Sequence, residues 1–284
     1  MKRKRITERF PFLLPIRKFQ RNLFFYTQMK FDANRYSNTI AKELLEFQVF
    51  STKSTLINHN SGYDLKYQIN KVDNLKLVAK TMDKVTISPG ETFSFWMLAK
   101  DAEKHGKYKD GLVLVNNQIR PLKGGGICQL SNLLFWLFIH TPLTIVERHA
   151  HSTETIPQPK GELPEGVDAT ISEGWLDIKL KNETRETFQL SLTFDEDFLY
   201  GRILSDTFQE VIYSIKSENL RYAKEDQKIY RYNQIYKEGH SFSTNKMLSR
   251  EMILDNKVEI QYDIESEIGF VKEGNTKWEK QLSL

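Results

Sequence analysis

The feature that most constrains this chain is a run of three glycines that leads into its single cysteine and then into a long apolar segment. Residues 124–126 are the glycines, and Ile127 and Cys128 follow them. Apolar residues then recur at helical spacing until Pro142, where a helix must end because the residue before a proline is pushed out of the α region. The pattern predicts a buried central helix that starts near Ile127, with Cys128 in its first turn.

This position gives the thiol two interpretations. Glycine lets another molecule approach the backbone closely, and the unpaired N–H groups at a helix start stabilise a thiolate, so the thiol is placed for chemistry. However, a free cysteine is also among the most buried residue types, and a glycine run is also a simple tight turn. The polar residues that follow Cys128 leave both interpretations open at this point.

The segment after this helix carries two histidines beside a carboxylate. Residues 144–146 are β-branched and favour a strand, in which alternation would place Glu147, His149 and His151 on one face. A helix–turn–strand hairpin would bring that row back toward Cys128, as a nucleophile with its base requires. The alternatives are a solvated strand end and a metal site, and the spacing of one cysteine and two histidines is not that of usual zinc ligands.

Five segments of the chain resemble the VanW family, and they occur in family order between residues 88 and 171. The segments are Gly90–Trp96, Lys109–Leu114, Gly124–Asn132, Glu147–Ser152 and Asp168–Ile171. The remainder of the chain also looks like the stand-alone members of the family. The family takes its name from an accessory protein of vancomycin-B-type glycopeptide resistance clusters.

The resemblance implies a role at the cell wall. The family domain also occurs in surface proteins of Gram-positive bacteria, where it has been associated with L,D-transpeptidase activity through the cysteine of its glycine-rich motif. Carried over to this chain, Cys128 is the expected nucleophile and His151 its base. His149 is the weaker candidate, because similar stand-alone proteins often have another residue at its place. Arg148 and Asp168 match motif positions for which the resemblance itself gives no specific role.

The predicted site residues form two groups. The catalytic candidates are Cys128, His151, His149 and Arg148, and the substrate-binding candidates are Gly125, Gly126, Gln129, Ser131 and Asp168. We expect a thiolate-dependent acyl transfer or hydrolysis on a peptidoglycan-type peptide, with the helix-start amides near Cys128 and Gln129 stabilising the oxyanion. The alternative is a non-catalytic module that binds cell-wall peptide or glycopeptide in the same cleft. No cofactor is predicted, because the sequence has no nucleotide-binding fingerprint. No metal is predicted, because one cysteine and two alternating histidines lack the usual spacing of zinc ligands.

The first 25 residues combine a basic cluster with interleaved apolar side chains, in a chain whose formal net charge is only +4. Such an arm either touches an anionic membrane surface or packs on its own domain. Nucleic acid is not an expected partner, because no wider basic stripe accompanies the arm. Pro11 and Pro15 interrupt the early apolar run, so we do not expect it to be a signal peptide or a membrane-spanning helix. A single cysteine cannot form a disulfide within the chain, which fits a reducing compartment. We therefore expect a cytoplasmic protein, peripheral at the inner membrane face, that meets a cell-wall peptide or precursor.

The pattern along the chain predicts an α+β fold in which the cysteine-bearing helix packs with a mixed or antiparallel sheet. The predicted segments are a basic arm and helical region (1–74), a VanW-like domain (75–175) and a β-rich C-terminal region (176–284). Helices are predicted at Tyr36–Phe50 and Leu75–Val85, and strands at Phe93–Phe95 and Leu112–Val115. In the C-terminal region, strands are predicted at 176–180, 188–194, 200–204, 211–216, 228–236 and 257–262.

Overall fold

The structure is a computed structural model that describes residues 10–59, 62–115, 118–155, 163–264 and 280–281. These residues form four α-helices and fifteen strands, so the predicted α+β class with a β-rich C-terminal region is confirmed. The helices are α1 (Leu14–Phe31), α2 (Leu65–Met82), α3 (Phe95–Ala99) and α4 (Cys128–Ile139). Short 3-10 turns lie at Pro11–Leu13 and Ala102–His105.

The strands form three sheets and one separate hairpin among the described residues. They are β1 (Arg35–Tyr36), β2 (Phe47–Thr55), β3 (Thr86–Ile87), β4 (Glu91–Ser94), β5 (Asp110–Val115), β6 (Gln118–Lys123), β7 (Thr144–Glu147), β8 (Thr153–Glu154), β9 (Lys179–Lys181), β10 (Phe188–Phe194), β11 (Phe198–Ser205), β12 (Val211–Glu225), β13 (Lys228–Ser241), β14 (Met247–Ile260) and β15 (Lys280–Gln281). The sheet orders are β1-β4-β9-β7, β2-β11-β10-β3 and β15-β12-β13-β14-β8, and β5 pairs with β6. Only the β1–β4 and β8–β14 pairs are parallel within these residues.

The cysteine-bearing helix α4 lies in the middle of the main core, as its all-round apolar sequence predicts. Leu130, Leu134 and Phe138 are fully buried, and burying one such side chain is worth about 1.5–3 kcal/mol relative to leaving it exposed. The helix packs against β2 and β11. Gly201 of β11 permits this approach, because a Cβ there would lie 2.5 Å from a methyl carbon of Leu137. The result is a rigid base for the residue at the N-terminus of the helix.

The C-terminal region forms long antiparallel strands, as alternation predicts. Phe188–Phe194 is a strand with the predicted bounds, and β12, β13 and β14 run longer than predicted. In the β13–β14 pair, Arg231 lies opposite Val258. This register places one arginine of the C-terminal sheet beside the site described below.

The helix predicted at Tyr36–Phe50 is wrong. Tyr36 belongs to β1, residues 37–46 contain no helix, and β2 begins at Phe47. Hydrogen bonds to other segments replace the helical ones: the Ala41 N–H donates to the Lys84 carbonyl, and the Leu45 N–H donates to the Gln189 side chain. The apolar spacing of this segment resembles that of a helix, but the long-range hydrogen bonds decide its conformation.

The predicted helix Leu75–Val85 exists but has different ends. Helix α2 begins at Leu65, where the Asp64 side chain accepts a hydrogen bond from the Lys66 N–H and so caps the first turn. It ends at Met82, and Lys84 then adopts a positive φ of 61°. The strand predicted at Phe93–Phe95 also ends one residue early, because Ser94 caps the short helix α3.

Candidate active site

The glycine run allows close packing of the start of α4 against strand β5 and helix α2. Gly125 packs against the backbone of Gly111 in β5, so closely that a Cβ on Gly125 would lie 2.2 Å from the Gly111 carbonyl carbon. Gly126 has a φ of 88°, which favours glycine, and a Cβ there would meet the Lys71 side chain. Both were predicted to bind substrate. The observed contacts join the β5–β6 hairpin and α2 to the helix start.

Cys128 is the first residue of α4, and its thiol is half-buried. Its Sγ lies 4.0 Å from the Ile171 carbonyl oxygen. The Gln129 N–H, one of the two expected oxyanion donors, already donates to the Gly126 carbonyl at 3.2 Å. Among the described residues the Cys128 N–H has no hydrogen-bond partner, so it is the amide that stays available for an oxyanion.

The segment that follows β7 leaves the sheet before it reaches the histidines. The strand ends at Glu147, so the prediction that alternation along one strand face aligns Glu147, His149 and His151 is wrong. The His149 carbonyl accepts a hydrogen bond from the Thr170 N–H at 2.7 Å, which ties this segment to residues 168–171. The segment next to Asp168, rather than strand pleating, therefore positions His151.

His151 and Asp168 form the central pair of the site. His151 Nδ1 lies 2.5 Å from Asp168 Oδ2, and the His151 N–H donates to the same oxygen at 2.7 Å. Burial alone would lower the pKa of His151, but hydrogen bonds to Asp168 and Cys128, together with their negative charges, raise it to about 10. With Nδ1 engaged by the carboxylate, Nε2 is the ring nitrogen left for the thiol.

Arg148 holds the carboxylate from the other side. Its Nη2 donates to Asp168 Oδ1 at 2.9 Å and its Nε to the Asp168 carbonyl at 2.7 Å. The guanidinium also faces the Phe135 ring of α4 at 5.4 Å. Burial would raise the pKa of Asp168, but the hydrogen bond from His151 and the charge of Arg148 hold it below its ordinary value. Arg148, predicted as catalytic, thus lies behind Asp168 and orients it, and Asp168, predicted to bind substrate, orients His151.

His149 lies in a different charge cluster. Its Nε2 is 3.0 Å from Glu147 Oε1, and the other carboxylate oxygen of Glu147 is 2.9 Å from Lys179 Nζ. The Glu147 side chain also accepts a hydrogen bond from the Asp177 N–H. These contacts give His149 a partner other than Cys128, in agreement with its being the weaker candidate.

Gln129 and Ser131 face the protein interior. The Gln129 side-chain amide donates to Ser54 Oγ at 2.9 Å and to the Thr55 carbonyl at 2.7 Å. Ser131 is fully buried, and its hydroxyl donates to the Ala169 carbonyl at 2.6 Å. Both were predicted to bind substrate. Their observed contacts fix α4 to β2 and to the segment that carries Asp168.

The thiol opens into a cavity of about 250 Å³. Its lining residues are Leu112, Val113, Leu114, Ile119, Cys128, Asn132, His151, Thr153, Glu154, Thr155, Asp168, Arg231 and Val258. The β5–β6 hairpin supplies an apolar wall, and residues near the ends of β8 and β13 supply polar groups. One part of the cavity lining is therefore apolar and another part is charged.

Two polar residues of this cavity were not among the predicted site residues. Asn132 lies one helical turn after Cys128, and its Oδ1 accepts a hydrogen bond from the Ala169 N–H at 2.8 Å, which orients the side-chain amide. Its i+4 spacing from the cysteine on a helix was the available sequence signal. Arg231 comes from β13, about a hundred residues further along the chain, and no local pattern marks it.

The described residues contain no group of three or more histidine, cysteine, aspartate or glutamate side chains arranged to hold a metal ion. No helix in that part of the chain is long and apolar enough to cross a membrane.

Fold and site together define an α+β protein with a cysteine–histidine–aspartate cluster at the mouth of a small cavity. The chain belongs to the VanW family. It is 43% identical to the vancomycin B-type resistance protein VanW of Enterococcus faecalis over 275 residues, which cover 97% of this chain and 100% of that protein.

Two further comparisons agree with this assignment. The family model described as VanW like protein matches residues 70–204, which include every residue of the cluster. The uncharacterized protein YoaR of Bacillus subtilis is 31% identical over 164 residues, 54% of this chain and 52% of that protein. No solved structure matches the chain.

Proposed function

We propose that this protein is a cell-wall-related accessory protein of glycopeptide resistance that acts as a cysteine-dependent acyl transferase of the L,D-transpeptidase type. The observation that supports the activity is that Cys128, His151 and Asp168 line one cavity, with His151 Nδ1 2.5 Å from Asp168 Oδ2. The link to resistance rests on the similarity to the Enterococcus faecalis protein. The expected ligand is a peptidoglycan-type peptide or its precursor.

The proposed reaction has two steps. The Cys128 thiolate attacks a peptide carbonyl carbon, the C–N bond breaks, and the His151 imidazolium gives its proton to the leaving amine, which leaves a thioester on the enzyme. An acceptor amine, or water, then attacks the thioester and gives a proton to neutral His151, and the thiolate leaves. The raised pKa of His151 supports this scheme because it keeps the ring protonated at neutral pH, as the first step needs.

The negative oxygen of each tetrahedral intermediate needs donors that are already in place. The Cys128 N–H, which has no hydrogen-bond partner among the described residues, is one. We assign the second to the Asn132 side chain, because Asn132 lines the same cavity as Cys128 and the hydrogen bond from the Ala169 N–H engages its Oδ1 rather than its Nδ2 donor. Asn132 therefore takes the role that was first expected of the Gln129 amide.

The test is intact-mass detection of an acyl adduct after incubation with muropeptides. The wild-type protein is expected to gain the mass of the acyl fragment, and Cys128→Ser, which keeps the shape of the side chain, is expected to gain no thioester. Binding of muropeptides without any adduct, under conditions where acceptor amines are absent, would contradict the acyl-transfer proposal and favour the non-catalytic binding module.

We also propose that the N-terminal helix contacts the membrane surface, where a cytoplasmic protein would meet lipid-linked cell-wall precursors. The support is a set of exposed apolar side chains on α1 and just before it. Phe12, Phe19 and Phe24 are 71%, 68% and 71% exposed. Arg17 and Lys18 lie between them, as is typical of helices that bind anionic lipid.

This contact can be measured by sedimentation with vesicles that contain anionic lipid. Phe19→Ser and Phe24→Ser are expected to reduce binding, and raising the salt is expected to weaken it, because exposed charges are screened beyond about 10 Å at 0.1 M. Leu248→Ser is the matched control, since Leu248 is 57% exposed on β14, far along the chain from the arm. Equal binding by all variants would contradict the membrane role of α1.

A further inference from the structure

The charged end of the cavity contains an arginine whose donors are incompletely used. Arg231 is 3% exposed, and its Nη1 lies 2.8 Å from Glu154 Oε2. Its Nε has no hydrogen-bond partner among the described residues, and Oε2 of Glu165 lies 3.7 Å from it. A buried donor left without an acceptor costs about 1–3 kcal/mol, so this arrangement gains from any ligand oxygen that reaches it.

A second orphaned polar atom belongs to a residue that lines the same cavity. Thr155 Oγ1 is buried and has no hydrogen-bond partner within the described part of the chain. Arg231 and Thr155 together offer an N–H and an O–H donor. The ligand group they fit is therefore an oxygen acceptor with more than one lone-pair direction, and a carboxylate matches a guanidinium best.

Glu154 and Glu165 differ in how firmly they hold Arg231. The Glu154 carboxylate is largely buried and also accepts a hydrogen bond from the Tyr262 hydroxyl at 3.1 Å. The Glu165 side chain is 45% exposed and is too far from Nε for a hydrogen bond. A ligand carboxylate can therefore replace Glu165 beside the guanidinium while the Arg231–Glu154 pair stays intact, which avoids adding an unbalanced negative charge.

We propose that Arg231, with Thr155, binds a free carboxylate of the peptide whose carbonyl is presented to Cys128, and so determines the substrate class. This inference deepens the proposed function and rests on it for the identity of the peptide. The small size of the cavity agrees with it, because about 250 Å³ is below the usual 300–1,000 Å³ of a ligand pocket and holds only the end of a peptide. The C-terminal sheet then completes the site that the VanW-like segment begins.

The test compares N-acetyl-dialanine with its C-terminal amide as protectants of Cys128 against iodoacetamide. The acid and the amide have the same shape and differ in the charge at the C-terminus. In the wild-type protein the acid is expected to protect at a concentration at least tenfold lower than the amide. Equal protection by the two peptides would overturn the proposal, and this comparison needs no variant.

Two variants test the assignment to Arg231. The double variant Arg231→Gln with Glu154→Gln removes the buried pair as a unit, so that no unpaired charge remains, and it is expected to lose the preference for the acid. Glu165→Gln removes the competing carboxylate and is expected to strengthen protection by the acid but not by the amide. An unchanged preference in the double variant would overturn the role of Arg231.

The carboxylate site and the acyl-transferase activity can be contradicted independently of each other. Carboxylate-dependent protection without an acyl adduct would contradict the transferase proposal and leave the carboxylate site standing. An adduct formed equally well from the acid and the amide of the same muropeptide would contradict the carboxylate site and leave the transferase standing.

Discussion

Replacing Asp168 by asparagine tests whether the buried charge cluster holds the site together. Asp168 is 6% exposed and its carboxylate oxygens contact Arg148 and His151. Breaking a buried ion pair by removing one partner costs about 3–5 kcal/mol, because the other charge stays buried. Arg148 keeps hydrogen bonds to the carbonyls of Gly166 and Asp168, so we expect a loss near the lower limit, about 3 kcal/mol.

The assay is urea unfolding at pH 7. With a slope of about 3 kcal/mol per molar urea for a chain of this size, the midpoint of Asp168→Asn should fall by about 1 M. Glu43→Gln, a change at an exposed carboxylate outside the site, should stay within about 0.5 kcal/mol of wild type. A loss below about 1 kcal/mol for Asp168→Asn would refute the assignment of Asp168 as the centre of a buried ion-pair cluster.

A double-mutant cycle isolates the pair itself. Arg148→Met combined with Asp168→Asn removes both charges, and the double variant should lose less free energy of unfolding than the sum of the two single variants. The expected coupling is about 1–3 kcal/mol. If the losses of the two single variants add up to that of the double variant, the 2.9 Å contact between Arg148 and Asp168 contributes no coupling free energy to stability.

Three further outcomes are expected. Gly125→Ala should destabilise the protein by about 1–3 kcal/mol in urea unfolding, because its Cβ would collide with the backbone of Gly111, and an unchanged midpoint would disprove that packing. The raised pKa of His151 stabilises the fold fully below pH 6.5, and that contribution is lost as pH rises to about 10. The difference in Tm between wild type and His151→Gln should therefore shrink over that range, and a constant difference would contradict the charged pair. Asn132→Ala should slow thioester formation about 10²–10³-fold with little change in peptide affinity, and an unchanged rate would exclude it as an oxyanion donor.

Local signals predict the part of the site that local structure builds. The glycines before Cys128 and the proline after its helix fix where α4 begins and where it must end, and the observed bounds follow them. The strand Phe188–Phe194 was equally predictable, since alternating apolar residues bounded by turn residues specify a strand without help from the rest of the chain.

The remaining parts of the fold and of the site depend on contacts between residues that are far apart in the sequence. Residues 37–46 have a helical pattern, yet hydrogen bonds to Lys84 and Gln189 hold them in a non-helical conformation. Asp168 stands in a motif of the family, but its partnership with His151 across 17 residues became visible only when both segments were placed. Arg231 reaches the cavity through the β13–β14 register, and for that reason its sequence neighbourhood gives no indication of a site.

The rate of Cys128 alkylation as a function of pH tests the central claim, that His151 activates this thiol, most directly. Iodoacetamide should modify the wild-type protein below pH 7, and His151→Ala should slow that reaction at pH 6 by about tenfold or more, the effect of a tenfold change in thiolate fraction. His149→Ala, the matched histidine change in the neighbouring cluster, should have a much smaller effect. A thiol that is inert in the folded protein, or that reacts equally in both histidine variants and only above about pH 8, would contradict the account.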